Sequence, residues 1–212
     1  ASLYPSSMIS ENISHDSIIL EDDKDSQKYL GDEGIKELEK IGYGYEDIQH
    51  DVYKWINPKI KSKGKIKCGV KVCRFVQPKD GSKSIIPNKL KELLKARKDT
   101  RKKITYKTIK TQKLTVSGLV DEDKENNLFK LIDETGKEYI IEKNEIISIE
   151  DTYNDFEKSV LDGLQLAFKM TANSLYGQIG AGTSPIYLKD IAASTTATGR
   201  KLLYLAKNTV EE

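Results

Sequence analysis

Two runs of helical periodicity bracket about fifty residues that cannot continue either helix. That alternation limits what the chain can fold into. In the second run, Val160, Leu161, Leu164, Ala167, Phe168, Ala172 and Leu175 recur at helical spacing. In the first, Leu90, Leu93 and Leu94 form an apolar stripe that starts around Pro87, and no glycine or proline interrupts it before Lys103. Between them, Leu114 to Val120, Leu128 to Ile132, Glu138 to Ile141 and Ile146 to Ile149 are short β-rich runs. Asp121 to Asn127, Asp133 to Lys137 and Glu142 to Asn144 are turn-like separators. Short strands at this spacing predict a small SH3-like β-barrel or a meander, and the chain as a whole reads as α+β. Some fifty residues bury little core, so support from the two flanking helices helps such an insert persist.

The second helix carries Lys169-Met170-Thr171-Ala172-Asn173-Ser174-Leu175-Tyr176-Gly177, followed by the glycine- and alanine-rich run from Gln178 to Gly182. Lys169, Asn173 and Tyr176 stand at i, i+4 and i+7 and share one stripe. A cation, an amide and a phenol beside a glycine suit a phosphate, a base edge and a stacked ring. The same stripe also fits a snorkelling lysine with two satisfied polar neighbours at a helix end. On the first helix Arg97 and Arg101, at i and i+4, continue the apolar stripe as cations. They read either as charges aimed at the facing helix or as a solvated basic end favoured by the helix dipole.

With 37% hydrophobic and 32% charged residues, the composition is that of a globular chain of one or two domains. No apolar run approaches the roughly eighteen residues of a membrane span. The formal charge of +2 conceals segregation. Lys54 to Arg74 carries eight basic residues and no acidic one, and Lys89 to Lys113 carries eleven against Glu92 and Asp99. Glu21 to Asp51 and Asp121 to Glu157 are the acidic counterweights. Two basic blocks point to a polyanionic partner. Cys68 and Cys73 are the only cysteines. A single Cys-x4-Cys pair is a poor zinc signal, and both thiols are expected to be reduced, on or beside a strand.

Earlier in the chain, Ser6 to Leu20 reads as a helix passing into a strand. Gly34 to Ile41 reads as a short helix ended by Gly42-Tyr43-Gly44. The basic stretch Lys54 to Lys67 reads as a hairpin or loop, Val70 to Val76 as an alternating strand, and Pro78 to Ser84 as a turn. After Gly182, Ile191 to Arg200 is rich in small residues that permit close helix packing, and Lys201 to Val210 continues helically.

Three stretches, in order, resemble motifs of the family B DNA polymerases, most like those of large nucleocytoplasmic DNA viruses. Lys169-x-x-x-Asn173-Ser174-Leu175-Tyr176-Gly177 is similar to the family's fingers-helix motif. Ser2-Leu3-Tyr4-Pro5-Ser6 resembles the end of its first palm motif, and Ile85-Ile86-Pro87 through Leu93-Leu94-Lys95-Ala96-Arg97 resembles the opposing fingers helix. The resemblance implies a partial palm over residues 1–80 and fingers over 81–182, with long helices at about 85–103 and 157–178 forming an antiparallel hairpin. It places the 104–155 insertion at the fingers tip and a helical return to the palm over 183–212. Ser2 and Leu3 are expected to offer backbone N–H groups to the triphosphate, and Tyr4 to be the steric gate against a ribose 2′-hydroxyl. Lys169, Arg97 and Arg101 are expected to contact the triphosphate, with Lys169 the catalytic residue. Arg101 departs from the commoner lysine, which exchanges a point charge for a planar fork. Asn173, Tyr176 and Gly177 are expected to meet the nascent base pair.

The resemblance also implies DNA primer-template and dNTP as partners, and an intracellular setting, in infected-cell cytoplasm or nucleus if the protein is viral. It implies Mg²⁺ as the cofactor of the intact enzyme. The family's metal-binding aspartates stand before Ala1 and in an Asp-Thr-Asp motif that this sequence lacks, so the 212 residues alone are expected to be an inactive fragment. The insert, acidic between Asp121 and Glu157, is expected to face away from DNA and to meet a protein partner if it meets anything. Two other readings stay open: a non-catalytic nucleic-acid- or protein-binding module, and a degenerate polymerase homologue.

Overall fold

The computed structural model describes residues 3–60, 62 and 64–211. They divide into two compact units, residues 1–92 with 171–212, and residues 93–170. Helices α3 (Ile85–Ile104) and α4 (Asp155–Gly180) each contribute residues to both.

The first unit starts with α1 (Leu3–Ser10), whose Pro5 sits in the first turn, where its missing N–H has no intrahelical partner to lose. Strand β1 (Ile18–Ile19), helix α2 (Gly31–Lys40) and strands β2 (Tyr43–Trp55) and β3 (Lys65–Pro78) follow. They form an antiparallel sheet of order β1-β3-β2. Helix α2 ends because Gly42 adopts φ +85°, a left-handed turn that reverses the chain into β2. Helix α5 (Lys189–Glu211) packs against β2 and α1. Met8, Ile13, Leu38, Phe75, Ile179 and Ile191 are fully or almost fully buried.

A buried asparagine ties this unit together. Asn12 takes a left-handed backbone (φ 53°) just after α1, a conformation asparagine tolerates. Its amide donates to the Val76 carbonyl at 2.8 Å and to Ser84 Oγ at 3.1 Å, and its Oδ1 accepts from the Ser84 N–H at 2.8 Å. It thereby joins the end of α1 to the end of β3 and the start of α3.

The stretch read as a basic hairpin or loop is a hairpin, with strands longer than alternation predicts. Pairing runs from Tyr43↔Pro78 out to Trp55↔Lys65. The register shifts where Val52 faces Gly69 and Tyr53 faces Lys67, so Cys68 is the extra residue of a bulge. Cys68 is exposed and Cys73 buried, both as free thiols. Burial, reinforced by the Asp190 charge, pushes the Cys73 thiol up to about 11.

The second unit holds the insert. Strands β4 (Lys107–Thr111), β5 (Thr115–Asp123), β6 (Leu128–Ile132), β7 (Glu138–Glu142) and β8 (Ile146–Asp151) form one antiparallel sheet of order β7-β6-β5-β4-β8. The chain therefore meanders through four strands and then returns, after a 3-10 turn at Lys143–Glu145, to lie beside the first. Ile109, Phe129, Leu131 and Ile141 make its core. Gly118 is required by close approach, since a Cβ there would strike the Ile132 backbone carbonyl. Strand β4 escapes the sequence pattern because Lys-Thr-Ile-Lys-Thr offers one strong apolar residue, Ile109, which is fully buried. The ends of the insert adjoin: Lys107 pairs with Asp151, and the Thr152 N–H donates to the Tyr106 carbonyl. Lys107 and Lys158 both reach the Asp151 carboxylate at 2.6 Å and hold it down to about 2.

Candidate functional site

In the first unit, Tyr4 on α1 and Tyr176 on α4 stack with ring centroids 4.3 Å apart and planes 16° from parallel. An offset pair of this kind is stabilised beyond the area it buries. The Thr196 hydroxyl donates its hydrogen to the Ala192 carbonyl at 2.8 Å. Thr196 Oγ1 therefore accepts from the Tyr176 phenol, also at 2.8 Å. Helix α5 thus fixes the outer edge of the Tyr176 ring, and that ring backs Tyr4, which is 38% exposed. Leu3, the first described residue of α1, is half-buried, and its N–H is among those left unpaired at a helix start. Ser2 lies outside the described residues. Asn173 is half-buried, whereas Gly177 is exposed and a Cβ placed there would meet nothing within 4 Å.

In the second unit, Arg97 Nε donates to Gln165 Oε1 at 3.1 Å, joining α3 to α4. Gln165 Nε2 in turn donates to Asp162 Oδ1 at 3.0 Å, so the amide that receives Arg97 is itself oriented. Arg97 and Lys169 are half-buried, and Arg101 is exposed. Arg97 therefore has a fixed partner on the other helix, whereas Arg101 faces solvent.

Thr196 and Gln165 are the residues that motif reading misses. Gln165 left a trace: it stands four residues before Lys169 and extends the Lys169–Asn173 stripe of α4 by one turn. Thr196 left none, because its role rests on the packing of α5. Among the described residues, the one group of three or more potential metal ligands lies elsewhere, at His50, Cys73 and Asp190. No carboxylate cluster among the described residues that could hold Mg²⁺ stands beside Tyr4 or Tyr176. Among the described residues no helix is long and apolar enough to cross a membrane.

Residues 1–119 and 139–212 match the family model described as DNA polymerase family B. The unmatched stretch, 120–138, falls inside the insert. Over all 212 residues the chain is 48% identical to a DNA polymerase of Pyramimonas orientalis virus, covering 16% of that protein. It is 38% identical over 221 aligned residues to a DNA polymerase of Phaeocystis pouchetii virus, covering 17% of it. A 57-residue stretch, 27% of the chain, is 65% identical to 3% of a DNA polymerase of Acanthamoeba polyphaga mimivirus. The chain thus spans about a sixth of the two relatives that it matches from end to end. With the family model covering most of its residues and two viral relatives aligned over its full length, the chain belongs to DNA polymerase family B.

Proposed function

We propose that the chain forms the nucleotide-binding part of a template-directed DNA polymerase, which adds deoxynucleotides to a primer 3′ end. The observation that supports this most directly is the stack of Tyr4 on Tyr176. Two tyrosines far apart in sequence, each inside a stretch that resembles a family motif, meet face to face, and a hydrogen bond to α5 holds the rear ring. In this reading the Tyr4 ring fills the place that a ribose 2′-hydroxyl needs, so the site admits a deoxyribose. Tyr176 and Gly177 lie under the nascent base pair, and the open space at Gly177 leaves room for it. The N–H groups of Ser2 and Leu3, together with Lys169, Arg97 and Arg101, take the triphosphate. Asn173 orients the nucleotide. Lys169 stabilises charge that grows on the departing pyrophosphate and stands ready to protonate it. Mg²⁺ would supply two-metal phosphoryl-transfer chemistry in the intact enzyme. Among the described residues, those near the tyrosine stack offer it no carboxylate set.

The gate is tested by Tyr4→Ala in a polymerase that contains this chain. Incorporation of ribonucleotides relative to deoxynucleotides should rise at least about tenfold, because the substitution removes a steric penalty that only the 2′-hydroxyl meets. An unchanged ratio would remove Tyr4 from the site. A nucleic-acid-binding module without catalysis shares the basic hairpin but gives Tyr4 no part in choosing the sugar, so the same measurement separates the two readings.

DNA contact is supported by the β2–β3 hairpin. Its distal part, Tyr53–Trp55 and Lys65–Val70, is exposed on both faces, and Lys65 stands 4.5 Å over the Trp55 ring. A bare ribbon of lysines and an aromatic suits a phosphate backbone. The insert we read as an SH3-like barrel at the tip of a helical hairpin. Its strand order and its paired ends support that assignment. With thirteen acidic against four basic residues between Asp121 and Glu157, it is a surface for a protein partner and not for DNA. Replacing residues 106–153 by a short Gly/Ser linker should leave primer extension on a naked template within severalfold, since the ends adjoin. Loss of extension by orders of magnitude would place the insert in the catalytic machinery.

A further inference from the structure

We propose that His50, Cys73 and Asp190 form a binding site for a transition-metal dication of the zinc class, one that holds α5 onto the β2–β3 hairpin. The sequence pairs Cys73 with Cys68 at a spacing that is a poor metal signal. The fold separates the two thiols and gives Cys73 other neighbours.

Cys73 Sγ lies 3.5 Å from His50 Nε2, and the same nitrogen lies 3.9 Å from Asp190 Oδ1. All three ligand atoms fall within 4.8 Å of one another. For tetrahedral zinc, with bonds of about 2.3 Å to sulfur and 2.0 to 2.2 Å to nitrogen and oxygen, the S···N edge is about 3.6 Å and the N···O edge about 3.4 Å. The first edge is already in place, and the carboxylate oxygen needs to move in by about half an ångström toward the nitrogen and by up to about 1.2 Å toward the sulfur.

The surrounding contacts are those that orient metal ligands. Asp190 offers one oxygen to the site, while its other oxygen accepts from Lys71 Nζ at 2.8 Å. His50 Nδ1 lies 3.4 Å from the Asp51 carbonyl, so with that nitrogen protonated, Nε2 carries a lone pair toward the sulfur and the carboxylate. Two of the ligands are buried, His50 5% and Cys73 3% exposed, and the Asp190 side chain is 19% exposed. Beside the thiol stands Ser194, one turn after Asp190 on α5 and fully buried, whose hydroxyl has no hydrogen-bond partner among the described residues other than that sulfur. A thiolate or a metal-bound water gives that hydroxyl an acceptor. Thiolate, imidazole and carboxylate together select zinc or a similar ion over Mg²⁺, which prefers an all-oxygen octahedron. The charges agree as well. The dication, with thiolate, carboxylate and the Lys71 ammonium, leaves one net positive charge, and the thiol proton leaves to solvent.

Cobalt(II) is the probe, because a thiolate bound to it gives an intense near-ultraviolet charge-transfer band. The purified chain carrying Cys68→Ser retains Cys73 as its only thiol. We expect one equivalent of Co²⁺ to produce that band together with visible bands of tetrahedral intensity, and Zn²⁺ to abolish both by displacement. His50→Gln and Asp190→Asn should each weaken Co²⁺ binding at least about tenfold. The site is refuted if the Cys68→Ser chain, folded by circular dichroism, shows no thiolate band with Co²⁺ in several-fold excess. It is equally refuted if both variants bind as tightly as their parent.

Discussion

Lys169→Ala, placed in a polymerase that contains this chain, should lower the single-turnover rate of nucleotide incorporation about a hundredfold and leave DNA affinity nearly unchanged. The lysine stands on the middle of α4, half-buried, in the stripe that continues through Gln165 and Asn173. In the function proposed above, a cation in that position would act on charge that develops as the pyrophosphate leaves, and removing one such donor costs on the order of 3 kcal/mol. Lys169→Arg keeps the charge but loses the transferable proton. It should recover part of the rate, and the recovered part measures how much of the effect is electrostatic. Rapid-quench kinetics with saturating nucleotide separates this step from binding. A normal rate combined with weakened DNA binding would return Lys169 to an ordinary snorkelling residue.

Arg74→Met should destabilise the first unit by about 2 kcal/mol, mainly the cost of leaving the Tyr29 and Gly31 carbonyls without their donor, since the Asp47 carboxylate that is left behind is a third exposed. Arg74 is 8% exposed on β3. Its Nε and Nη2 donate to both oxygens of Asp47 on β2, each at 2.7 Å. Its Nη1 donates to the carbonyls of Tyr29 and Gly31 at 3.0 and 2.9 Å, and the Tyr45 ring lies 4.6 Å beneath the guanidinium. One side chain therefore fastens the start of α2 to two strands. Methionine keeps the volume and loses every polar contact. Denaturant unfolding should report the loss, and amide exchange should show α2 released first. A change below about 1 kcal/mol would mean that water replaces the guanidinium with little penalty.

What could be read from the sequence follows from where each pattern comes from. Helix α4 was legible because its apolar residues recur at 3.6-residue spacing along a single segment. Strand β6 was legible because Leu128 to Ile132 alternates in and out of a core. The outer ends of β2 and β3 were not, because strands exposed on both faces carry no alternation. Asn12, Arg74 and Thr196 act through partners at distant positions, and nothing local marks them. The tyrosine stack lay beyond spacing too. The motifs named Tyr4 and Tyr176 separately, and the rings come together because α1 packs against α5, whose Thr196 holds the Tyr176 phenol. His50 and Cys73 meet because the hairpin register sets Ile48 against Cys73 and His50 against Lys71. A register slip of one residue would turn them to opposite faces.

The Asp151 carboxylate has a mechanical consequence. It binds Lys107, just beyond the end of α3, and Lys158, in the first turn of α4, while the β4–β8 ladder closes the space between them. These two helix ends cannot part unless two ion pairs and a run of strand pairing break together. The base of the insert thereby joins the ends of two helices that are about fifty residues apart in the chain into one piece of the second unit.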